Sequence, residues 1–320
     1  MRAGDDHDDR HDDSAHDHPH EHFGGGDEAS RGTAEGVRAT WVSLGGLSLT
    51  AGLQVVVVVV SGSVALLADT IHNFTDALTA VPLLIAFRLG RRPPNRRYSY
   101  GYDRAEDLAG VVIVLLIAAS AIFAALEAVD RLTAPRAIEH VAWVLAAGVI
   151  GFAGNEAVAI YRIRVGRRIG SAALVADGYH ARTDGLTSLG VVASALGAIA
   201  GIDELDAIAG LVITLVIGWT LIEAGRSVLH RILDGTDEQT IVLIEEMAAG
   251  ASGVEHVSDT RARWTGHRLL AELNIDVDPD ISVEAGHVIA ERVRAALLRG
   301  VPRLSEASVH VDPHEHDTHA

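Results

Sequence analysis

The chain has 320 residues, no cysteine, 43 acids against 26 basic residues, 17 histidines and a formal charge of −17. Without cysteine there is no disulfide framework, no thiolate zinc site and no thiol nucleophile, so a metal ion must be held by His, Asp, Glu or backbone oxygen. So acidic a chain is also unsuited to nucleic acid, whose phosphates require basic surface.

The charge is partitioned. Residues 1–38 carry −7, residues 39–232 balance at zero, and residues 233–320 carry −10. The first segment, 1–38, lacks an apolar run that could serve as a signal peptide and holds six histidines among acids between Asp5 and His22. Such a composition supports no core and reads as a disordered tail that gathers borderline metal ions through neutral imidazole, or that solubilises the chain. A short C-terminal tail, residues 314–320, repeats the pattern with His314, His316 and His319.

Six apolar stretches follow, each near the ~20 residues that cross a bilayer: Thr40–Val60, Ser63–Phe87, Leu108–Val129, Val141–Tyr161, Ala172–Ala200 and Leu205–Val228. Six consecutive valines, Val55–Val60, would form a buried strand in a soluble protein; within this stretch they read as a lipid-facing helix. Arginines crowd alternate loops: Arg88 to Arg104 after the second stretch, Arg162 to Arg168 after the fourth, Arg226 and Arg231 after the sixth. Positive loops stay inside, so both termini are expected in the cytoplasm, in the cell (inner) membrane. Residues 233–313 then change character to a helix at Asp237–Ala249, strands at Val254–Arg263 and Arg268–Val277, a helix at Val283–Leu298 and a strand at Ala307–Val311. That αββαβ order fits a small ferredoxin-like α+β domain. The expected fold class is therefore an α-helical membrane protein of six spans, residues 39–232, followed by this small domain.

An internal repeat carries the chemistry. Ser63–Thr79 recurs 108 positions later as Ser171–Thr187, with ten of 17 positions identical, including Asp69/Asp177, His72/His180 and Asp76/Asp184. Repeat-built transporters place their sites where the repeats meet near the membrane midplane. Residues i and i+4 share a helix face, so His72 stands one turn from Asp76 and His180 one turn from Asp184. Two such helices facing each other present two imidazoles and two carboxylates, a closed set of the kind tetrahedral Zn²⁺ accepts. Two carboxylates balance a divalent cation, so the loaded site is neutral, and the empty site is expected to take up protons because isolated charges are expensive at membrane depth. The bland alternative is that these groups hydrogen-bond across helices; two aligned copies in two spans speak against it.

Asp69 and Asp177 lie one turn before each histidine and either support the ligands, form a proton path, or sit in water at helix ends. Asn73 is a candidate for biasing metal choice, and Arg182 is expected to face an aqueous cavity or to pair with an acid. Glu127, Glu156 and Glu223 read as interfacial residues. An intramembrane metalloenzyme would need an open coordination position and a general base, and neither is evident; a metal sensor would need an effector motif. Imidazole argues against Mg²⁺ and Ca²⁺, while Co²⁺, Ni²⁺, Cd²⁺ and Fe²⁺ remain open.

Gly62–Asp76 and Ala176–Asp184 resemble the cation diffusion facilitator family, over roughly residues 38–313, and the paired His-x-x-x-Asp form resembles its zinc-type members. The resemblance implies a secondary transporter rather than an enzyme, with no cofactor: a homodimer joined through the C-terminal domain that exports cytoplasmic Zn²⁺ against H⁺ by alternating access, through His72, Asp76, His180 and Asp184. The family's further metal site in the loop after the second span is not expected, because Tyr98-Ser-Tyr-Gly-Tyr102 replaces its histidines. In the C-terminal domain, His287, His310 and Asp312 match positions the family uses for regulatory zinc, but Ser258 and Asn274 stand where histidines belong, so a complete binuclear site is not expected.

Overall fold

The structure is a computed structural model that describes residues 25–61, 80–133, 141–202 and 204–314. Its membrane part consists of α1 (Gly25–Ser61), α2 (Ala80–Leu89), α3 (Arg104–Thr133), α4 (Val141–Ile169), α5 (Ala172–Ala200) and α6 (Glu204–Ile232). Five of these are long and apolar enough to cross a membrane, and α2 is the end of the expected second span, whose residues 62–79 lie outside the described ones. The outer surface is apolar, as lipid requires: Leu215, Trp219 and Leu115 are more than 60% exposed. Along the valine run Val55, Val56, Val59 and Val60 face outward while Val57 is buried, a helical rather than a strand pattern.

The helix α1 begins well before the expected span. Residues 25–38 lack apolar content and by composition belong to the tail, yet they continue the helix. Tertiary partners hold these turns: Thr33 meets His267 of the C-terminal domain, and Glu35 pairs with Arg168 at the end of α4. Residues 1–24, with the six tail histidines, lie outside the described residues.

The antiparallel pair α4 and α5 is joined by a tight turn. Gly170 takes φ +79°, open to glycine at no steric cost, and Ser171 caps α5 by accepting from the Leu174 N–H. Small residues let the backbones close: a Cβ on Gly178 would lie 2.7 Å from the Ile163 side chain, and one on Gly166 2.9 Å from the Val175 backbone nitrogen.

The C-terminal domain follows the expected order: α7 (Glu238–Ala249), β1 (His256–Thr265), β2 (Arg268–Val277), α8 (Val283–Gly300) and β3 (Leu304–Pro313). The sheet order is β1-β2-β3, antiparallel between β1 and β2 and parallel between β2 and β3, with α8 as the crossover. Leu269, Ala271, Leu273, Ile275 and Val277 alternate into the core along the central strand, where they meet Ile244 of α7 and Val293 and Leu297 of α8. The β1–β2 turn points into the membrane part, and Arg104 pairs with Asp234 at 2.5 Å where α6 hands over to the domain.

Candidate metal centre

The second repeat lies wholly on α5. His180 and Asp184 share a face, with Nδ1 and Oδ1 3.8 Å apart and side chains only 2% and 5% exposed. At 1.5 Å per residue, His180 stands about 12 Å and Asp184 about 18 Å along the axis from Ala172, well inside an apolar helix of 29 residues that is long enough to cross a membrane. A titratable pair sealed at that depth is expensive unless paired or occupied by a cation. The first-repeat residues His72 and Asp76, with Asp69 and Asn73, lie outside the described residues. Among the described residues no group of three or more His, Asp or Glu is arranged to hold a metal ion, so the two α5 donors are the described part of the expected set.

Asp177 is not in water. It is fully buried, and its Oδ2 stands 3.0 Å from Nη1 of Arg162, itself only 1% exposed, on α4. An ionised carboxylate with no water needs a counter-charge, and the antiparallel register of α4 and α5 supplies it. The sequence groups Arg162 with the loop arginines at the end of the fourth span; α4 instead continues to Ile169 and buries it. A hint was available, since Val158, Ala159, Val165 and Ile169 stand four, three, three and seven residues from Arg162, on its own helix face.

Arg182 pairs with an acid, as one alternative had it: its Nε and Nη2 lie 3.1 and 2.6 Å from the two carboxylate oxygens of Glu156 on α4. That pair keeps about a third of its surface and sits mid-helix rather than at an interface. Glu223 is exposed on α6, and the Glu127 side chain lies outside the described ones. The α4–α5 pair thus carries two ion pairs of opposite sense, Arg162–Asp177 and Glu156–Arg182, with His180 between their α5 members.

In the C-terminal domain, Ser258, Asn274 and His310 occupy one row across the three strands. His310 Nε2 lies 3.0 Å from Asp312 Oδ1, and the Asn274 amide donates to Asp312 Oδ2 at 3.3 Å. His287 is exposed on α8 and does not join them in a three-residue group. His314 lies 3.4 Å from Asp276 and 3.9 Å from Glu255, contacts the sequence pattern did not suggest; His316 and His319 fall outside the described residues. In the α2–α3 loop the Tyr98 and Tyr102 rings pack with centroids 4.8 Å apart.

Two family models match the chain: the cation efflux transmembrane domain over residues 40–233 and the cation efflux protein cytoplasmic domain over residues 236–314. A probable cation efflux system protein of Mycobacterium tuberculosis is 53% identical over 290 residues, covering 91% of this chain and 87% of its own. An uncharacterized transporter of Methanocaldococcus jannaschii is 28% identical over 85% of this chain and 96% of its own. A manganese efflux system protein of Bacillus subtilis is 24% identical over 88% and 97%.

Proposed function

This chain belongs to the cation efflux family of divalent metal transporters, and from that premise we propose that it exports Zn²⁺ in exchange for protons through His72, Asp76, His180 and Asp184. The observation that supports this most is the sealing of His180 and Asp184 on one face of α5, well inside that helix. Two imidazoles and two carboxylates suit zinc in charge and in coordination number. Metal and protons compete for the same lone pairs, so proton arrival on one side releases the metal and proton loss on the other prepares capture. Arginine placement supports a cytoplasmic position for both termini and the C-terminal domain of a cell (inner) membrane protein, and the match to the cation efflux cytoplasmic domain supports that domain as the homodimer contact.

Manganese export is the second reading, favoured by the Bacillus relative named for that metal. Ligand chemistry separates the two: imidazole suits zinc, carboxylate and water suit manganese. Uptake of Zn²⁺, Mn²⁺, Co²⁺, Cd²⁺ and Fe²⁺ by proteoliposomes containing an internal pH dye tests both. Zinc uptake with proton release from the lumen is expected; manganese uptake without zinc uptake favours the second reading, and flux without a pH change contradicts antiport.

His287, His310 and Asp312 are proposed as at most a weak regulatory site, since Asn274 occupies Asp312. Asp177 is proposed to support the site through its pairing with Arg162, with Asp69 as its counterpart on the first repeat and Asn73, which has no counterpart in the second copy, as a further supporting residue.

A further inference from the structure

The turn Gly266–His267 belongs to the C-terminal domain but is buried in the membrane part. His267 is 5% exposed. Its Nδ1 lies 2.8 Å from Glu106 Oε2 on α3, its Nε2 lies 3.1 Å from Thr33 Oγ1 on α1, and its ring centroid is 6.1 Å from that of Phe87 on α2. The Gly266 N–H donates to Asp107 Oδ2 at 3.2 Å, and the Gly266 carbonyl accepts from Arg231 of α6 at 3.2 Å. The same guanidinium lies 3.9 Å from the Trp264 ring centroid, and Arg268 reaches Asp103 at 3.3 Å. Two residues therefore touch α1, α2, α3 and α6. At the other connection of the domain Arg303 donates to the carbonyls of Arg167 and Arg168 at the end of α4, at 2.9 and 3.2 Å.

The receptor is shaped for this tip. A Cβ on Gly32 would stand 3.0 Å from the His267 ring, and one on Gly266 would stand 2.8 Å from Glu106. The contact is also polar: every partner except Phe87 is a hydrogen-bonding or charged group that water can serve once the two surfaces part. An apolar plug of the same size would resist hydration; this one exchanges protein partners for solvent. Alternating access needs one group of helices to move against another, and a tip bonded to α1, α3 and α6 together must release whichever of them moves against the others.

We propose that the Gly266–His267 turn is a latch, docked in a receptor formed by α1, α2, α3 and α6, that leaves this receptor in every transport cycle. The proposal rests on cation transport alone and is independent of which residues bind the metal. The chain has no cysteine, so introduced thiols are unique. Thr33→Cys with His267→Cys in the full-length protein, oxidised in proteoliposomes, ties the tip to α1. Metal uptake is expected to fall at least 20-fold and to return on reduction; uptake at the reduced rate with the disulfide intact overturns the latch. A second measurement decides the matter whether or not that disulfide closes. Thr33→Cys alone places one thiol at a position 2% exposed. Its reaction with a membrane-permeant maleimide is expected to speed up at least 5-fold during metal-driven turnover. Equal rates at rest and in turnover mean that the tip never leaves.

Discussion

Replacing Asp177 by Asn leaves Arg162 as an uncompensated guanidinium between α4 and α5. The pair is 3.0 Å apart with 1% and 0% of the side chains exposed, so its gross attraction is about 5 kcal/mol at an effective dielectric of ~20. Breaking a buried pair by removing one member costs about 3–5 kcal/mol, because the remaining charge stays desolvated. The pairing is incomplete, however: Arg162 Nε and Nη2 and Asp177 Oδ1 lack hydrogen-bond partners among the described residues. Removing both charges should therefore be far milder than removing either. Arg162→Gln and Asp177→Asn are each expected to lose about 3–5 kcal/mol and the double variant less than either alone, a coupling of more than about 3 kcal/mol. Unfolding of the detergent-solubilised protein, followed by heat or denaturant, gives all four corners of the cycle. Single variants within about 1 kcal/mol of the parent, or additive losses in the double, would refute the reading of this pair.

The Glu156–Arg182 pair, a third exposed, is the built-in comparison: Glu156→Gln is expected to cost at most about 1 kcal/mol in the same assay. Leu273→Ala, in the central strand and 2% exposed, should destabilise the C-terminal domain by about 2–5 kcal/mol, seen as faster hydrogen exchange across β1–β3. Gly266→Ala forces a φ of +58° on a residue with a Cβ and drives that atom against Glu106. Exchange at the turn should then accelerate, with the strain alone worth about 1–2 kcal/mol. Burial pushes the Asp103 carboxyl above the usual carboxylate range, opposed by the Arg268 and His267 charges and reinforced by Glu106. A docked state with a raised carboxyl pKa binds more protons than the open one, so docking should tighten as pH falls through that value and slacken above it. Asp103→Asn should flatten the pH dependence of thiol labelling at Thr33→Cys.

What could be read from residues alone tracks the range of the forces involved. The apolar spans, the arginine-rich loops and the αββαβ order are written in local composition and period, and α5, α8 and β2 appear close to where the pattern puts them. The start of α1 was not legible, because Gly25–Arg38 has no apolar face of its own and is held by Thr33 and Glu35 reaching partners more than 130 residues away. Arg162 looked like one more positive-loop residue; only the register of α4 against α5 brings it to Asp177. His267 was a lone histidine in a hairpin turn, and nothing near it in sequence names Glu106 or Thr33. The pairing of His180 with Asp184, by contrast, follows from a four-residue spacing and needs no tertiary knowledge.

Flux through the Asp184→Ala and His180→Ala proteins, reconstituted beside the parent and read by metal uptake and lumenal pH together, tests the transport site most directly. Folded variants that lose at least 100-fold of both signals are the expected result. Metal uptake and proton release at parental rates in either variant would place the transported ion elsewhere in the protein.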